Sequence, residues 1–367
     1  MKFGIVNRRT EGWNVYQGWP TVARGEDGTL YAASSGDRMA HICPFGKNLM
    51  YVSHDDGETW SAPQIINDTK LDDRDPGLVC WGDGNILLSW FNNEEDVYTA
   101  PRHIAKWPIL GQPVSLAMLE KWKEVPKEQY GSFTKVSRDN GKTWSKAHMC
   151  PVTAPHGPIR RADGSIFYVG TERLSGLDIP ADAVCAFQSF DEGETWEFVS
   201  RLPMPEEHDG KQVMECCEPH CVDLGNNEIL AAVRCVVTDD PTDKFWYLNI
   251  TTYTCRSLDG GKTWEAPVFM ENYGAPPHLM MHSSGALIFV CGKRTDTFGQ
   301  YARVSYDKGR TWTGDLMISP ESPVTDHGYP STVELSNGDL LTVYYQRVPG
   351  DDYNSVLYTR WSLDELK

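Results

Sequence analysis

The sequence predicts an all-β chain folded as a six-bladed β-propeller with four-stranded blades. Three observations carry that reading. The pattern Ser-x-Asp-x-Gly-x-Thr-Trp occurs five times, as SHDDGETW (Ser53 to Trp60), SRDNGKTW (Ser137 to Trp144), SFDEGETW (Ser189 to Trp196), SLDGGKTW (Ser257 to Trp264) and SYDKGRTW (Ser305 to Trp312). Interleaved with these boxes are six segments in which a proline and a short apolar run lead through a polar turn into a second β-rich run. Finally, 32 Gly, 23 Pro and 13 Trp suit many short strands joined by tight turns. A hairpin plus a second hairpin per unit makes a four-stranded sheet, and radial repetition of such sheets makes a propeller.

The six hairpins begin at Gly18 (GWPTVARGEDGTLYAASSGDR), Asp73 (DRDPGLVCWGDGNILLSWF), Ala154 (APHGPIRRADGSIFYVGTE), Cys216 (CCEPHCVDLGNNEILAAVR), Gly274 (GAPPHLMMHSSGALIFVCGKR) and His327 (HGYPSTVELSNGDLLTVYYQR). Each alternates apolar residues around a DG, NN, SG or NG turn. Each of the first five is followed by one box. Within a box the Asp accepts backbone N–H groups as in an Asx turn, the Gly permits a left-handed backbone, and the Trp offers apolar surface to a neighbouring sheet. A box is therefore expected to be a clasp, not a calcium loop, since its oxygen ligands are too few. The sixth unit ends in SVLYTRWSLDELK without a full box, and Phe3 to Val6 are expected to supply its outer strand, joining the chain ends and removing a free edge. Ser53 and Ser137 lie 84 residues apart, against 52, 68 and 48 for the later intervals, so blade 2 carries an insertion over 97–130. Within it a helix is expected from Val114 to Glu124, packing through Leu116, Met118, Leu119 and Trp122. All of 1–367 reads as one propeller domain.

A net charge of −17 argues against a general affinity for nucleic acid or an anionic membrane. No apolar run reaches the ~18 residues of a membrane span. The start, MKFGIVNRRT, lacks the apolar core of a secretory signal, so a cytoplasmic protein is expected. The ten cysteines are scattered through strand-like runs without a CxxC pair, and read as reduced, buried small hydrophobes.

The innermost strands of a propeller converge on one axis, so residues at their leading ends become neighbours. There the chain places Trp19, Arg74, Asp75, His156, Glu218, His220, His278, Asp326, His327 and Tyr329. The ends of the same hairpins bring Asp37, Arg38, Arg234, Arg294 and Tyr345. Ionisable groups recurring at matching places point to a polar pocket, not a purely structural ring.

The boxes resemble the Asp-box, or BNR, repeats of the sialidase superfamily, and the resemblance spans essentially the whole chain. It implies an exo-glycoside hydrolase acting on a glycan or small sugar, with no cofactor. Such enzymes bind the substrate carboxylate with an arginine triad and use a Tyr nucleophile paired with a Glu, plus an Asp as acid/base. Glu218 resembles the family Glu, Arg234 the second triad arginine, and Tyr329 the nucleophile. Arg38 is similar to the arginine after the first hairpin, and Arg294 or Arg303 would supply a further cation. Two departures stand out. Gly18-Trp19-Pro20 replaces the family's Arg-Ile-Pro, so the first triad arginine is absent and Trp19 would offer a platform to a sugar ring. The loop MAHICPFGKN lacks the expected acid/base Asp, leaving Asp37, His41 or Asp75 as alternatives. The histidines 156, 220, 278 and 327 would hydrogen-bond sugar hydroxyls, without a metal. Two rivals remain: another exo-glycosidase, for a uronic, arabinosyl or rhamnosyl unit, working through a carboxylate pair such as Glu218 and Asp75; and a non-catalytic carbohydrate-binding propeller. Oligomeric state is left open by the sequence.

Overall fold

In the computed structural model, residues 1–172, 183–238, 240 and 249–366 are described. Six antiparallel sheets form the blades of a propeller, the first five running outward in chain order. Their innermost strands are Tyr16–Arg24, Arg74–Trp81, Ile159–Arg160, Lys211–Asp223, His278–Met281 and Gly328–Glu334. Blade 6 is completed by the N-terminal strand Lys2–Asn7, which pairs with Asn354–Trp361 through contacts such as Phe3 with Thr359. The expected closure by Phe3 to Val6 is therefore what the chain adopts, and no outer edge of blade 6 is left as a loose end.

The boxes occupy the turns between the third and fourth strands, on the face opposite the leading ends of the inner strands. In the first, Ser53 Oγ donates to Asp55 Oδ1 at 2.8 Å and accepts Gly57 N–H at 2.9 Å, while Thr59 N–H donates to Asp55 Oδ1 at 2.9 Å. The same contacts recur around Asp139, Asp191, Asp259 and Asp307. The box carboxylates are consumed by their own turns, as a clasp requires. The box glycine does a second job. At Gly57 (φ +81°) a Cβ would lie 2.2 Å from Leu341 of blade 6, and at Gly193 (φ +89°) 2.9 Å from Leu87 of blade 2. Each box thus presses its backbone against the preceding blade, where a side chain has neither the room nor the conformation. Trp196 shows the same logic, packing against apolar clusters of both blades 2 and 3.

The insertion lies between Asn85–Asn92 and Gly131–Ser137 of blade 2 and forms the helices Glu95–Thr99, Pro101–Ile104 and Gln112–Trp122. Leu119 and Trp122 are buried and Met118 is partly so, but Leu116 points outward. With Tyr98, Trp107 and Val125 they pack on Met39, Ala40, Cys43 and Leu71, pinning the loop that follows Arg38.

Candidate active site

Four inner strands break register at the same place: between Gly18 and Thr21, Arg74 and Gly77, Cys217 and His220, and Gly328 and Ser331. At each break a non-glycine residue takes a left-handed backbone immediately before a proline. These are Trp19 (φ 51°), Asp75 (φ 44°), Glu218 (φ 48°) and Tyr329 (φ 54°). Blade 3 has Gly157 (φ 79°) at the equivalent point. Such backbones cost on the order of 1–3 kcal/mol each and persist where the surroundings over-determine them. A bulge re-aims its side chain, and here four bulges aim side chains at the axis.

Tyr329 Oη donates to one oxygen of Glu218, and Arg234 Nη1 donates to the other. Burial pushes the Tyr329 phenol well above its usual range, with the Glu218 and Asp75 carboxylates adding to it, so the phenol keeps its proton. For Glu218, burial works upward but is outweighed by Arg234, by the hydrogen bond from Tyr329 and by Arg294, and the carboxyl is held below its ordinary value. Asp75 differs. Burial raises it to about 7; Arg74 opposes that and Glu218 reinforces it. Its Oδ1 has no hydrogen-bond partner, the nearest cation being Arg74 Nε at 3.9 Å. A ligand oxygen would complete it.

The sequence-predicted residues divide. Tyr329, Glu218, Arg234, Asp75 and Arg74 converge, with Arg294 donating to the His327 carbonyl at 3.0 Å beside them. Tyr345 flanks Tyr329, ring centroids 5.8 Å apart. Trp19 is no open platform: it is 1% exposed, with the Arg74 and Arg38 guanidiniums 4.1 and 4.8 Å from its ring centroid. It supports the cations instead of receiving a sugar. Arg38 is fully buried and gripped by both oxygens of Asp72, which also accepts Tyr98 Oη at 2.7 Å and Arg74 Nη1 at 3.3 Å. Asp37 stands apart, paired with Arg9 on the wall of a separate 710 Å³ cleft lined by Trp13, Phe45, Met118 and Trp122.

His156, His220 and His278 form a buried cluster, with centroids 4.4–5.8 Å apart, and burial holds all three well below the usual imidazole range. His220 Nδ1 accepts Leu279 N–H at 3.0 Å. His327 is enclosed against Gln300 (3.0 Å) and Phe298 and faces neither cluster. Among the described residues no group of His, Cys, Asp or Glu is arranged to hold a metal ion, and no helix is long and apolar enough to cross a membrane.

Sequence reasoning missed Asp72 and Tyr16, and it singled out Asp326 and His41 separately without joining them into the one hydrogen-bonded cluster they form with Tyr16. The local signal for the site is the residue before the proline, which in four of the six inner hairpins (Trp19, Asp75, Glu218 and Tyr329) takes a left-handed backbone at the register break.

The BNR repeat-like domain model matches residues 115–343, and a BNR/Asp-box repeat matches 51–62. The chain belongs to the BNR repeat-like family. Its fold is shared by a Dyadobacter fermentans protein of unknown function (TM-score 0.74, 19% identity, 99% of this chain and 98% of that one). It is shared too by the NanB sialidase of Streptococcus pneumoniae (0.65, 13%, 100% and 71%) and the intramolecular trans-sialidase of Ruminococcus gnavus (0.65, 13%, 99% and 98%). Among curated proteins, a xyloglucanase of Acetivibrio thermocellus is 24% identical over 294 residues, 73% of this chain; the chain spans only 32% of that relative's length.

Proposed function

We propose that the protein is a sialidase-like exo-glycoside hydrolase that removes a terminal sugar bearing one carboxylate. The observation that carries this is the Tyr329–Glu218–Arg234 chain of hydrogen bonds at the axis. Glu218 accepts the phenol proton as Tyr329 Oη attacks the anomeric carbon, and Arg234 keeps Glu218 in place. A neutral phenol suits an anionic sugar, because a carboxylate nucleophile would repel the substrate's own charge.

The charge balance supports the substrate class. Arg38, Arg74, Arg234 and Arg294 face the carboxylates of Asp72, Glu218 and Asp326, while Asp75 holds its proton to about 7. One positive charge is left over in a chain whose net charge is −17. Arg74, on blade 2, stands in for the arginine that Trp19 displaces from blade 1. Asp75 donates a hydrogen bond to a substrate hydroxyl from its unpartnered oxygen.

A panel of aryl glycosides tests the reading. Cleavage of a carboxylate-bearing sugar, lost in Tyr329→Phe, is expected. Turnover of a neutral sugar that survives Tyr329→Phe would instead favour a carboxylate-pair glycosidase, and saturable binding without turnover a binding propeller.

A further inference from the structure

We propose that His41, oriented by Asp326, is the general acid/base of this site, protonating the departing glycosidic oxygen and then activating water. The inference rests on the reading of Tyr329 as nucleophile. It starts from a second hydrogen-bonded cluster, separate from Glu218 and Arg234. His41 Nδ1 lies 3.0 Å from Asp326 Oδ1 and 2.9 Å from Tyr16 Oη. Tyr16 Oη and Tyr345 Oη each donate to Asp326, both at 3.1 Å. With Nδ1 committed to this carboxylate, Nε2 has no protein partner among the described residues. A carboxylate behind Nδ1 and a free Nε2 in front is the arrangement by which an imidazole is held ready to exchange protons.

Exposure separates this group from its rivals. The side chains of His41 and Asp326 are 39% and 31% exposed, whereas Asp75 is 5% exposed. A leaving group must depart, and water must enter, on the open side. Asp75 is enclosed with the sugar, and Asp37 lies in another cleft. The backbone of His41 is held as firmly as its ring: its carbonyl accepts Arg38 Nη2 at 3.0 Å and Arg74 Nη1 at 3.3 Å, and the next carbonyl, of Ile42, accepts Trp107 Nε1 at 2.6 Å. The insertion of blade 2 therefore fixes the loop that carries His41. The ring also stands edge-on to Trp19 at 4.8 Å, and Trp19 stands edge-on to Tyr329 at 6.5 Å, which puts His41 and the phenol on one aromatic wall.

The steps balance. As the Tyr329 Oη–carbon bond forms, the glycosidic C–O bond breaks, the phenol proton passes to Glu218, and the Nε2 proton of imidazolium His41 passes to the departing oxygen. Water then attacks the same carbon and gives a proton to Nε2. The Tyr329–carbon bond breaks, and Glu218 returns its proton to the phenolate.

The test uses two glycosides of the same sugar, one with a nitrophenyl and one with an alkyl leaving group. An alkoxide needs protonation to leave; a nitrophenolate does not. In His41→Ala the alkyl glycoside should lose about 10²–10⁴-fold in kcat/KM, the nitrophenyl glycoside under about 10-fold. With the Asp75 titration near 7 left in place, the alkaline limb of the pH–rate profile that His41 sets, below the ordinary imidazole range because burial outweighs the pull of Asp326, should disappear. The charged and titratable groups facing His41 are Asp326, Tyr16, Tyr345, Arg38, Arg74 and His103, so Asp326→Asn should move that limb to lower pH. Tyr329→Phe should lose both substrates alike. If His41→Ala is poorly folded, His41→Gln serves in its place. Equal losses on the two glycosides overturn the assignment while leaving Tyr329 standing. A wild-type chain that cleaves neither glycoside removes the nucleophile and this proposal together.

Discussion

Replacing Asp72 by Asn should destabilise the fold by about 3–5 kcal/mol, the cost of breaking a buried ion pair from one side. The carboxylate is fully buried. It holds both Nη atoms of the fully buried Arg38, accepts Tyr98 Oη at 2.7 Å and shares Arg74 at 3.3 Å. Burial alone would raise its pKa, but the two guanidiniums and the hydrogen bonds from Arg38 and Tyr98 outweigh it, and the group stays ionised. An amide keeps the shape and removes the charge, leaving Arg38 without a counter-ion. The unfolding entropy of a 367-residue chain is about 0.8 kcal/mol/K, so Tm should fall by roughly 4–6 °C. The double variant Arg38→Met, Asp72→Leu, which removes both charges, should recover most of it. Calorimetry on the wild type, both single variants and the double variant measures this. A fall under about 1 °C in Asp72→Asn, or a double variant no better than the single, would refute the view that Arg38 is structural and return it to the substrate.

Other outcomes follow from the same geometry. Asp75 is raised by burial to about 7, so the folded chain binds its proton more tightly than the unfolded one, and this contribution to stability is lost as pH rises from about 4 to 7. Asp75→Asn should therefore flatten the fall in stability across that window, by at most about 4 kcal/mol; chemical denaturation at pH 4 and pH 7.5 checks it. Asp139→Ala unties the Ser137 and Thr143 contacts at 2.8 Å on the face away from the site, so Tm should drop with kcat/KM unchanged. Arg294→Met should weaken a carboxylate-bearing ligand more than about 10-fold and a neutral sugar little, since charge-assisted contacts are the strong ones; calorimetric titration of both ligands decides it.

What the sequence made legible was whatever repeats. Five boxes counted the blades, and the missing sixth pointed to the N-terminal strand. Glu218 and Tyr329 were legible because each opens a repeated inner hairpin and resembles a residue the sialidase superfamily carries there. The rest depends on partners far apart in the chain. DDRDP reads as a surface turn, yet Asp72 reaches back 34 residues to Arg38 and turns a candidate substrate ligand into a buried ion pair. Asp37 is claimed by Arg9. Arg294 and Arg303 look alike in sequence, but Arg303 is spent on Asp315 and the carbonyls of Met270 and Glu271, leaving Arg294 beside the site. His41 falls in a loop without periodicity, and its partner Asp326 lies 285 residues away.

The account stands on Tyr329 as nucleophile, and intact-mass spectrometry tests it most directly. The chain is incubated with a carboxylate-bearing fluoro-glycoside whose glycosyl-enzyme turns over slowly. One sugar should become attached, peptide mapping should place it on Tyr329, and Tyr329→Phe should stay unlabelled. An adduct on Glu218 or Asp75, or hydrolysis that proceeds in Tyr329→Phe, would contradict it.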